Sequence, residues 1–301
     1  MASFDFDFQE KRILSYDGYE ITYHMVGKGT PVLIANGLGG NVRAWSHLLR
    51  RFETTHRLIT WDYRGLLRGA PPSSSLSVAT HAMDGIAVMN AEGIRRADVW
   101  GWSMGVQVAL EIFRYVPQRV RSMVFLNGVA GSPLRWVEGG KWVAFSTLGL
   151  LKGVETFPWP LEKVIHLLAP SSHMVDVAIA LGLASPTIDR ALASRLIAFF
   201  EELDLRAYAQ TLKELARHDA HDVLDRIDVP VLVFAGGRDR LTPKRAIARM
   251  VRRLRRAKLV VVPQGTHYLA IEYPHFIAQR IVEFWREHQL GEEGGGWEVE
   301  A

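Results

Sequence analysis

The sequence predicts an α/β fold in which helices cover both faces of a mostly parallel, doubly wound sheet. Short apolar runs alternate with helical patterns early in the chain and again near its end, which is typical of parallel sheets. Between these parts, helix-like segments broken by prolines replace the alternation. We therefore predict a core of residues 1–129 and 229–290, an inserted helical cap at 130–228, and a flexible Gly/Glu-rich tail at 291–301.

Seven apolar runs are predicted to form the strands of the core. Because each run is apolar almost without interruption, it suits a strand that is buried on both faces. The runs are Ile21–Val26, Pro31–Ala35, Arg57–Trp61, Ala97–Trp100, Arg121–Leu126, Val229–Ala235 and Lys258–Val262.

Helical patterns fall into two groups, one in the core and one in the predicted cap. Start and stop signals such as a serine N-cap or a first-turn proline mark several of them. The core patterns are Ser77–Glu92, Met104–Tyr115, Pro243–Arg256 and Phe276–His288. The cap patterns are Gly139–Leu151, Leu161–Leu168, Met174–Leu183, Thr187–Leu203 and Leu205–Arg217. Ligands of open α/β sheets bind beyond the carboxyl ends of the strands, so an insertion leaving from that edge would form a lid.

Composition and charge exclude several classes of function. The chain has no cysteine, which excludes disulfides, thiolate metal sites and a cysteine nucleophile. The histidines lack metal-site spacing, so we expect no metal and no cofactor. A net charge of +4 over 301 residues is too dilute to indicate a nucleic-acid partner. With no basic, apolar leader and no apolar run near the ~18 residues of a membrane span, we expect a cytoplasmic protein.

The most basic segment is Lys244–Lys258, which has eight cations and no acid. Its apolar residues recur at helical spacing, so the favoured interpretation is a solvated helix packed on the sheet by one face. The alternative is a weak attraction to an anionic membrane surface, without stable insertion.

The sharpest local signal is the pentapeptide Gly101-Trp102-Ser103-Met104-Gly105, a G-x-S-x-G sequence. It follows the run Ala97–Trp100 and precedes the predicted helix Met104–Tyr115. A tight turn at this junction exposes the serine hydroxyl, and the helix N-terminus directs free N–H groups at a developing oxyanion. We predict that Ser103 is a nucleophile.

A serine nucleophile needs a base and a group that orients the base. His267 follows the run Lys258–Val262, and Asp239 follows the run Val229–Ala235. Both positions lie at carboxyl ends of predicted strands, on the same edge as Ser103, and the order Ser, Asp, His suits such a fold. The position after the preceding core strand, which could also hold the acid, is Asn127, and this favours Asp239.

The oxyanion of the reaction requires two hydrogen-bond donors. One is the N–H of Met104, next to the nucleophile, and the other must come from the loop after an earlier strand. Asn36-Gly37-Leu38-Gly39-Gly40 follows the run Pro31–Ala35. We therefore predict the Leu38 and Met104 N–H groups as donors.

With these motifs, and with Asp62-Tyr63-Arg64-Gly65, the chain resembles the α/β-hydrolase-fold serine hydrolases of the esterase, lactonase and haloperoxidase-like group. The resemblance extends from about Ile13 to about His288 and implies a helical cap after the strand ending near Leu126. The first loop of such proteins usually begins His-Gly, whereas here it begins Asn36-Gly37.

The resemblance implies a cofactor-free enzyme that hydrolyses carboxylic esters with an apolar acyl or alcohol part. Residues predicted to line its substrate pocket are Trp102, Trp142, Phe145, Leu241 and Tyr268. The same triad could instead serve a lactonase, a carbon–carbon-bond hydrolase, an acyltransferase or a perhydrolase, because one site hosts many reactions. A ligand sensor that keeps a working triad is the alternative from another class.

Overall fold

The computed structural model describes residues 8–67, 75–136, 152–156, 158–161 and 173–290. Its sheet has eight strands in the order β1-β2-β4-β3-β5-β6-β7-β8. The strands are β1 Gln9–Leu14, β2 Glu20–Val26, β3 Thr30–Ala35, β4 His56–Trp61, β5 Ala97–Trp102, β6 Val120–Leu126, β7 Val231–Gly236 and β8 Ala257–Val262. The β1–β2 and β2–β4 pairs are antiparallel, and all other pairs are parallel. The predicted mostly parallel sheet is thus confirmed.

All seven predicted runs form strands, with ends that differ by no more than two residues. The strand that the sequence did not reveal is β1, an edge strand whose residues are almost all exposed and include Glu10, Lys11 and Arg12. β8 differs from the prediction in another way. Because it is the opposite edge strand, it is not buried on both faces, and Val261 is 39% exposed.

Helices flank the sheet on both faces, and further helices lie in the segment between β6 and β7. They are α1 Ser46–Phe52, α2 Val78–Ala91, α3 Met104–Tyr115, α4 His173–Ala180, α5 Arg190–Ala198, α6 Leu205–Arg217, α7 His221–Leu224, α8 Lys244–Val251, α9 Leu269–Glu272 and α10 Pro274–Glu287. In β7, Val231 and Val233 point into the apolar cluster under α2, α3 and α8, whereas Leu232 and Phe234 point into the cluster under α1 and α10. This alternation shows a sheet wound on both sides.

The basic helix α8 ends at Val251, five residues before its predicted end. The chain turns over the next five residues to enter β8 at Ala257. Ile247 and Met250 are buried in the core, so the apolar face of the helix is used for packing on the sheet. Within the described ranges, no helix is long and apolar enough to cross a membrane.

Between β6 and β7, the regular elements of the described residues are α4, α5, α6, α7 and shorter helical turns. The two ends of this insertion meet, because the Ala220 N–H donates to the Ala130 carbonyl at 2.8 Å and Gly131 forms an isolated bridge with Asp219. The predicted helix Gly139–Leu151 and most of the predicted helix Leu161–Leu168 lie outside the described residues.

Two buried histidines make the stability of this fold sensitive to acid. Burial, together with the nearby charge of Arg64, lowers the pKa of His81 to about 3. Burial likewise lowers the pKa of His56 to about 4, where its ring stacks on Trp285. The ordinary pKa of about 6.5 returns when the chain unfolds.

We therefore expect acidification to destabilise the protein. Between about pH 4 and 6.5 the unfolded chain holds protons on His56 and His81 that the folded chain does not, so the free energy of unfolding falls as pH falls. At about 1.4 kcal/mol per pH unit and group, the loss from pH 7 to pH 5 is about 4 kcal/mol. Urea unfolding at both pH values measures this loss. The double variant His56→Gln, His81→Gln should show a clearly smaller loss, and equal losses in both proteins would contradict the prediction.

Candidate active site

Ser103 occupies a sharp turn between β5 and α3. Its backbone has φ 55° and ψ −117°, a left-handed conformation that is costly for a residue with a side chain. The turn is held on the sheet by the Ser103 N–H, which donates to the Leu126 carbonyl of β6 at 2.9 Å. Ser103 thus lies at the apex of a strained turn from strand to helix, which is the geometry predicted for a nucleophile elbow.

The glycines on either side of Ser103 are required by close backbone packing. A Cβ at Gly105 would lie 2.0 Å from the Ala35 carbonyl oxygen, and a Cβ at Gly101 would lie 2.4 Å from the Gly105 carbonyl oxygen. The first turn of α3 is therefore pressed against the end of β3, where the loop after β3 begins. This contact brings the helix N-terminus and the loop together.

Ser103, His267 and Asp239 form a continuous hydrogen-bonded chain. His267 Nε2 lies 2.9 Å from Ser103 Oγ, and His267 Nδ1 lies 2.8 Å from Asp239 Oδ2. Because an ionised carboxylate only accepts hydrogen bonds, the Nδ1 proton is donated to Asp239, and Nε2 is free to accept from the serine hydroxyl. The structure thus brings the three residues together in the arrangement that the sequence predicted.

Asp239 is held in place by its own loop. Its Oδ1 accepts from the N–H groups of Leu241 and Thr242 at 2.8 and 2.9 Å, and its Oδ2 also accepts from the Thr242 hydroxyl at 2.6 Å. Burial raises the pKa of Asp239, but the charge of His267 and the hydrogen bonds from His267 and Thr242 outweigh burial and hold the pKa below its ordinary value. The carboxyl group is therefore kept ionised.

Asn127, the residue at the alternative acid position, connects the ends of the core strands. Its backbone is left-handed, with φ 46°. Its side-chain amide donates to the Thr266 carbonyl at 2.7 Å and accepts from the Gly236 N–H at 2.8 Å. The Thr242 hydroxyl also lies 2.9 Å from the Asn127 carbonyl oxygen. Asn127 and Thr242 support the triad. The signals available in the sequence were that Asn127 directly follows a strand and that Thr242 lies three residues after the acid.

The loop Asn36–Gly40 lies beside the nucleophile. A Cβ at Gly37 would lie 3.3 Å from Ser103 Cβ, which places the following residue, Leu38, at the site. Met104 is the first residue of α3, so its N–H has no acceptor one turn earlier in its own helix. The two predicted oxyanion donors thus belong to residues that directly follow Gly37 and Ser103, which pack against each other.

Asn36 holds this loop in place through hydrogen bonds to the core. Its side-chain amide donates to Thr60 Oγ1 at 2.8 Å and accepts from Trp45 Nε1 at 2.7 Å. Its carbonyl accepts from the Tyr63 hydroxyl at 2.7 Å. The departure from the usual His-Gly start is thus accommodated by a buried and fully hydrogen-bonded asparagine.

Two of the five predicted pocket residues flank the triad. The Trp102 ring centroid lies 5.8 Å from that of His267 and 5.7 Å from that of Tyr268, and Trp102 Nε1 donates to the His267 carbonyl at 2.9 Å. Leu241 is 45% exposed and contributes its N–H to Asp239. Trp142 and Phe145 lie outside the described residues.

Residues of the insertion also reach this site, although no sequence signal indicated which ones. A Cβ at Gly39 would lie 3.0 to 3.3 Å from side-chain atoms of Tyr208, Leu203 and Phe200. These apolar and aromatic groups therefore cover the loop that holds Leu38. Among the described residues, no group of three or more His, Asp or Glu side chains could hold a metal ion.

Comparison with known proteins shows the family to which the chain belongs. Residues 30–274 match the family described as the alpha/beta hydrolase fold. The protein belongs to the alpha/beta hydrolase fold family. The resemblance drawn from the motifs is thereby confirmed, and the chain is a hydrolase of this family.

Relatives within the family differ in the substrates for which they are named. A pimeloyl-[acyl-carrier protein] methyl ester esterase of Neisseria meningitidis is 29% identical over 238 residues, which cover 78% of this chain and 85% of the relative. A protein of Azorhizobium caulinodans, provisionally named a carbamate hydrolase, is 23% identical over 271 residues, covering 89% and 96%. The structure of an esterase from Exiguobacterium antarcticum superposes with a TM-score of 0.75 at 18% identity, covering 92% of this chain and all of that one.

Proposed function

We propose that the protein hydrolyses carboxylic esters with an apolar acyl or alcohol part through an acyl-enzyme intermediate on Ser103. The observation that carries this proposal is the hydrogen-bonded chain from Asp239 through His267 to Ser103, at 2.8 and 2.9 Å. This chain ends at a serine hydroxyl on a strained turn at a helix N-terminus. Such an arrangement activates a hydroxyl for attack on an acyl carbon.

In the proposed acylation step, His267 Nε2 takes the Ser103 proton while Ser103 Oγ bonds to the ester carbonyl carbon. Asp239, which is buried and ionised, stabilises the imidazolium that forms. His267 then gives the proton to the leaving alcohol. In deacylation His267 takes a proton from water, whose oxygen attacks the acyl carbon. His267 then returns this proton to Ser103 Oγ as the bond to the acyl group breaks, which releases the carboxylic acid and free Ser103.

The negative charge on the carbonyl oxygen during both steps requires the two backbone donors. We assign this role to the N–H groups of Leu38 and Met104. Gly37 packs against the side chains of Trp102 and Ser103, and Gly105 packs against the backbone of Ala35. This packing supports the assignment, because it would hold both donors in place before the reaction begins. Donors fixed in advance need no reorganisation when the charge develops.

The apolar part of the substrate is assigned to the space between the core and the insertion. We propose that residues 130–228 act as the cap, because Leu203 and Tyr208 approach Gly39 of the oxyanion loop. Trp102 and Tyr268 place aromatic rings next to His267, and we assign them to the wall of the same pocket. Walls of this kind favour apolar groups over charged ones.

A panel of p-nitrophenyl esters of increasing acyl length tests the proposal. We expect rapid turnover with a preference among chain lengths, and no comparable turnover in Ser103→Ala. Rates that are flat across the panel and unchanged in Ser103→Ala would contradict the proposal. One equivalent of p-nitrophenol without further turnover would indicate the ligand sensor instead.

A further inference from the structure

Glu272 is a buried carboxylate that the proposed mechanism does not use. It is the last residue of α9, the short helix that follows the catalytic histidine, and it is 5% exposed. Its Oε2 accepts from the Thr266 N–H at 2.8 Å, and its Oε1 lies 2.5 Å from the Thr266 hydroxyl and accepts from the Ser185 N–H at 2.8 Å. One carboxylate therefore joins two segments that are distant in sequence.

The first of these segments carries the catalytic histidine, and we call residues 263–268 the histidine loop. Thr266 directly precedes His267, and its N–H is fixed by Glu272 while its carbonyl is fixed by Asn127. The carbonyl of His267 is fixed in turn by Trp102. The peptide that orients the imidazole thus depends directly on the carboxylate of Glu272.

The second segment, residues 183–185, belongs to the insertion, and we call it the docking segment. Besides the Ser185 N–H on Glu272, the Leu183 carbonyl lies 3.0 Å from the Thr266 hydroxyl. Apolar contacts reinforce this junction. Ile271 of α9 packs in one buried cluster with Val175, Ile188 and Leu192 of the insertion.

The neighbouring residues of α9 pack on the core instead. Leu269 and Ala270 belong to the buried cluster under α1 and α10. The helix after His267 is therefore shared between the core and the insertion, and Glu272 is the charged connection within it.

We propose that Glu272 is a positioning residue, which couples the docking of residues 183–185 to the alignment of His267 with Ser103. The proposal rests on the catalytic role of the triad given above. Loss of the carboxylate would release the insertion and the histidine loop together, and a misplacement of about 1 Å at the base can lower the rate about 10²-fold.

Glu272→Gln tests the proposal with nearly unchanged side-chain volume. An amide has a single acceptor oxygen, so in either orientation its NH₂ group faces a donor, Thr266 N–H or Ser185 N–H. We expect kcat for a p-nitrophenyl ester to fall about 10²-fold, with KM changed by less than about threefold. Reaction of Ser103 with a fluorophosphonate probe, which phosphonylates the serine with loss of fluoride, should slow to a similar extent.

Glu111→Gln is the matched control. Glu111 is also a buried glutamate that accepts hydrogen bonds, from Arg114 and His218, and none of these three residues belongs to the histidine loop. Its loss should lower the thermal unfolding midpoint while keeping kcat and the labelling rate within about threefold of wild type. Equal losses of kcat in both variants would overturn the proposal, as would a folded Glu272→Gln protein with wild-type kcat and labelling.

A milder pair of variants keeps the proposal testable if Glu272→Gln does not fold. Thr266→Val removes the hydroxyl between Glu272 and Leu183, and we expect kcat to fall about tenfold. Thr266→Ser restores that hydroxyl and should restore kcat. Absence of this rescue would overturn the proposal.

A wild-type protein that is labelled by the probe but hydrolyses no ester would overturn the proposed function alone. The ratio of labelling rates between Glu272→Gln and wild type would still measure the effect of Glu272.

Discussion

Ser103→Ala is expected to lower kcat for ester hydrolysis by roughly 10⁶-fold. Ser103 Oγ lies 2.9 Å from His267 Nε2 and is the atom that would bond to the acyl carbon. No neighbouring group can replace this hydroxyl. The nucleophile must lie at the turn and, at the same time, within hydrogen-bond distance of the base. Initial rates with a p-nitrophenyl ester, compared with wild type under identical conditions, measure the loss.

Ser194→Ala is the control for this variant. Ser194 lies on α5 of the insertion and is partly exposed, so its loss should leave kcat within about threefold of wild type. Thermal unfolding of both variants should stay close to wild type. A Ser103→Ala protein that is folded and retains a tenth or more of the wild-type rate would require a different nucleophile.

Asp239→Asn is expected to lower kcat by about 10⁴-fold. The N–H groups of Leu241 and Thr242 both point at the Oδ1 position of residue 239, so an asparagine must place its oxygen there. Its NH₂ group then faces His267 Nδ1 and forces that nitrogen to accept. The imidazole proton moves to Nε2, which can no longer take the proton of Ser103. Steady-state kinetics over the accessible pH range measures the effect.

Asp62→Asn provides the comparison for the acid. Asp62 also contacts a histidine, His24, at 3.2 Å, and it follows β4 just as Asp239 follows β7. We expect Asp62→Asn to change kcat by less than about threefold. If Asp239→Asn lost less than tenfold, or if Asp62→Asn lost as much, another carboxylate would orient the base.

The core strands were predictable because strands buried on both faces leave continuous apolar runs in the sequence. The exposed edge strand β1 leaves no such run, since only antiparallel pairing with β2 stabilises it. The short helices α1 and α9 were not predicted either. At seven and four residues, they are too short to show a helical period, and packing on the core stabilises them.

The triad was predictable because its three residues follow strands that end at one edge of the sheet. The contacts that Asn127 and Glu272 make in support of the triad were not, because their partners lie far away in the sequence. Asn127 bonds to Gly236, 109 residues later, and Glu272 bonds to Ser185, 87 residues earlier. The contact of Tyr208 with Gly39 was not predictable either. Helical periodicity in the insertion indicates that one face of a helix is buried, but it does not indicate what that face covers.

Peptide mapping of the acyl-enzyme tests the central claim most directly. Trypsin releases Ala97–Arg114, in which Ser103 is the only residue with a hydroxyl, amine or imidazole side chain. Protein quenched in acid during turnover of a p-nitrophenyl ester should carry one acyl group on this peptide, and Ser103→Ala should carry none. Turnover with the acyl group on another peptide, or an acyl group that persists on Ala97–Arg114 of Ser103→Ala, would contradict the account.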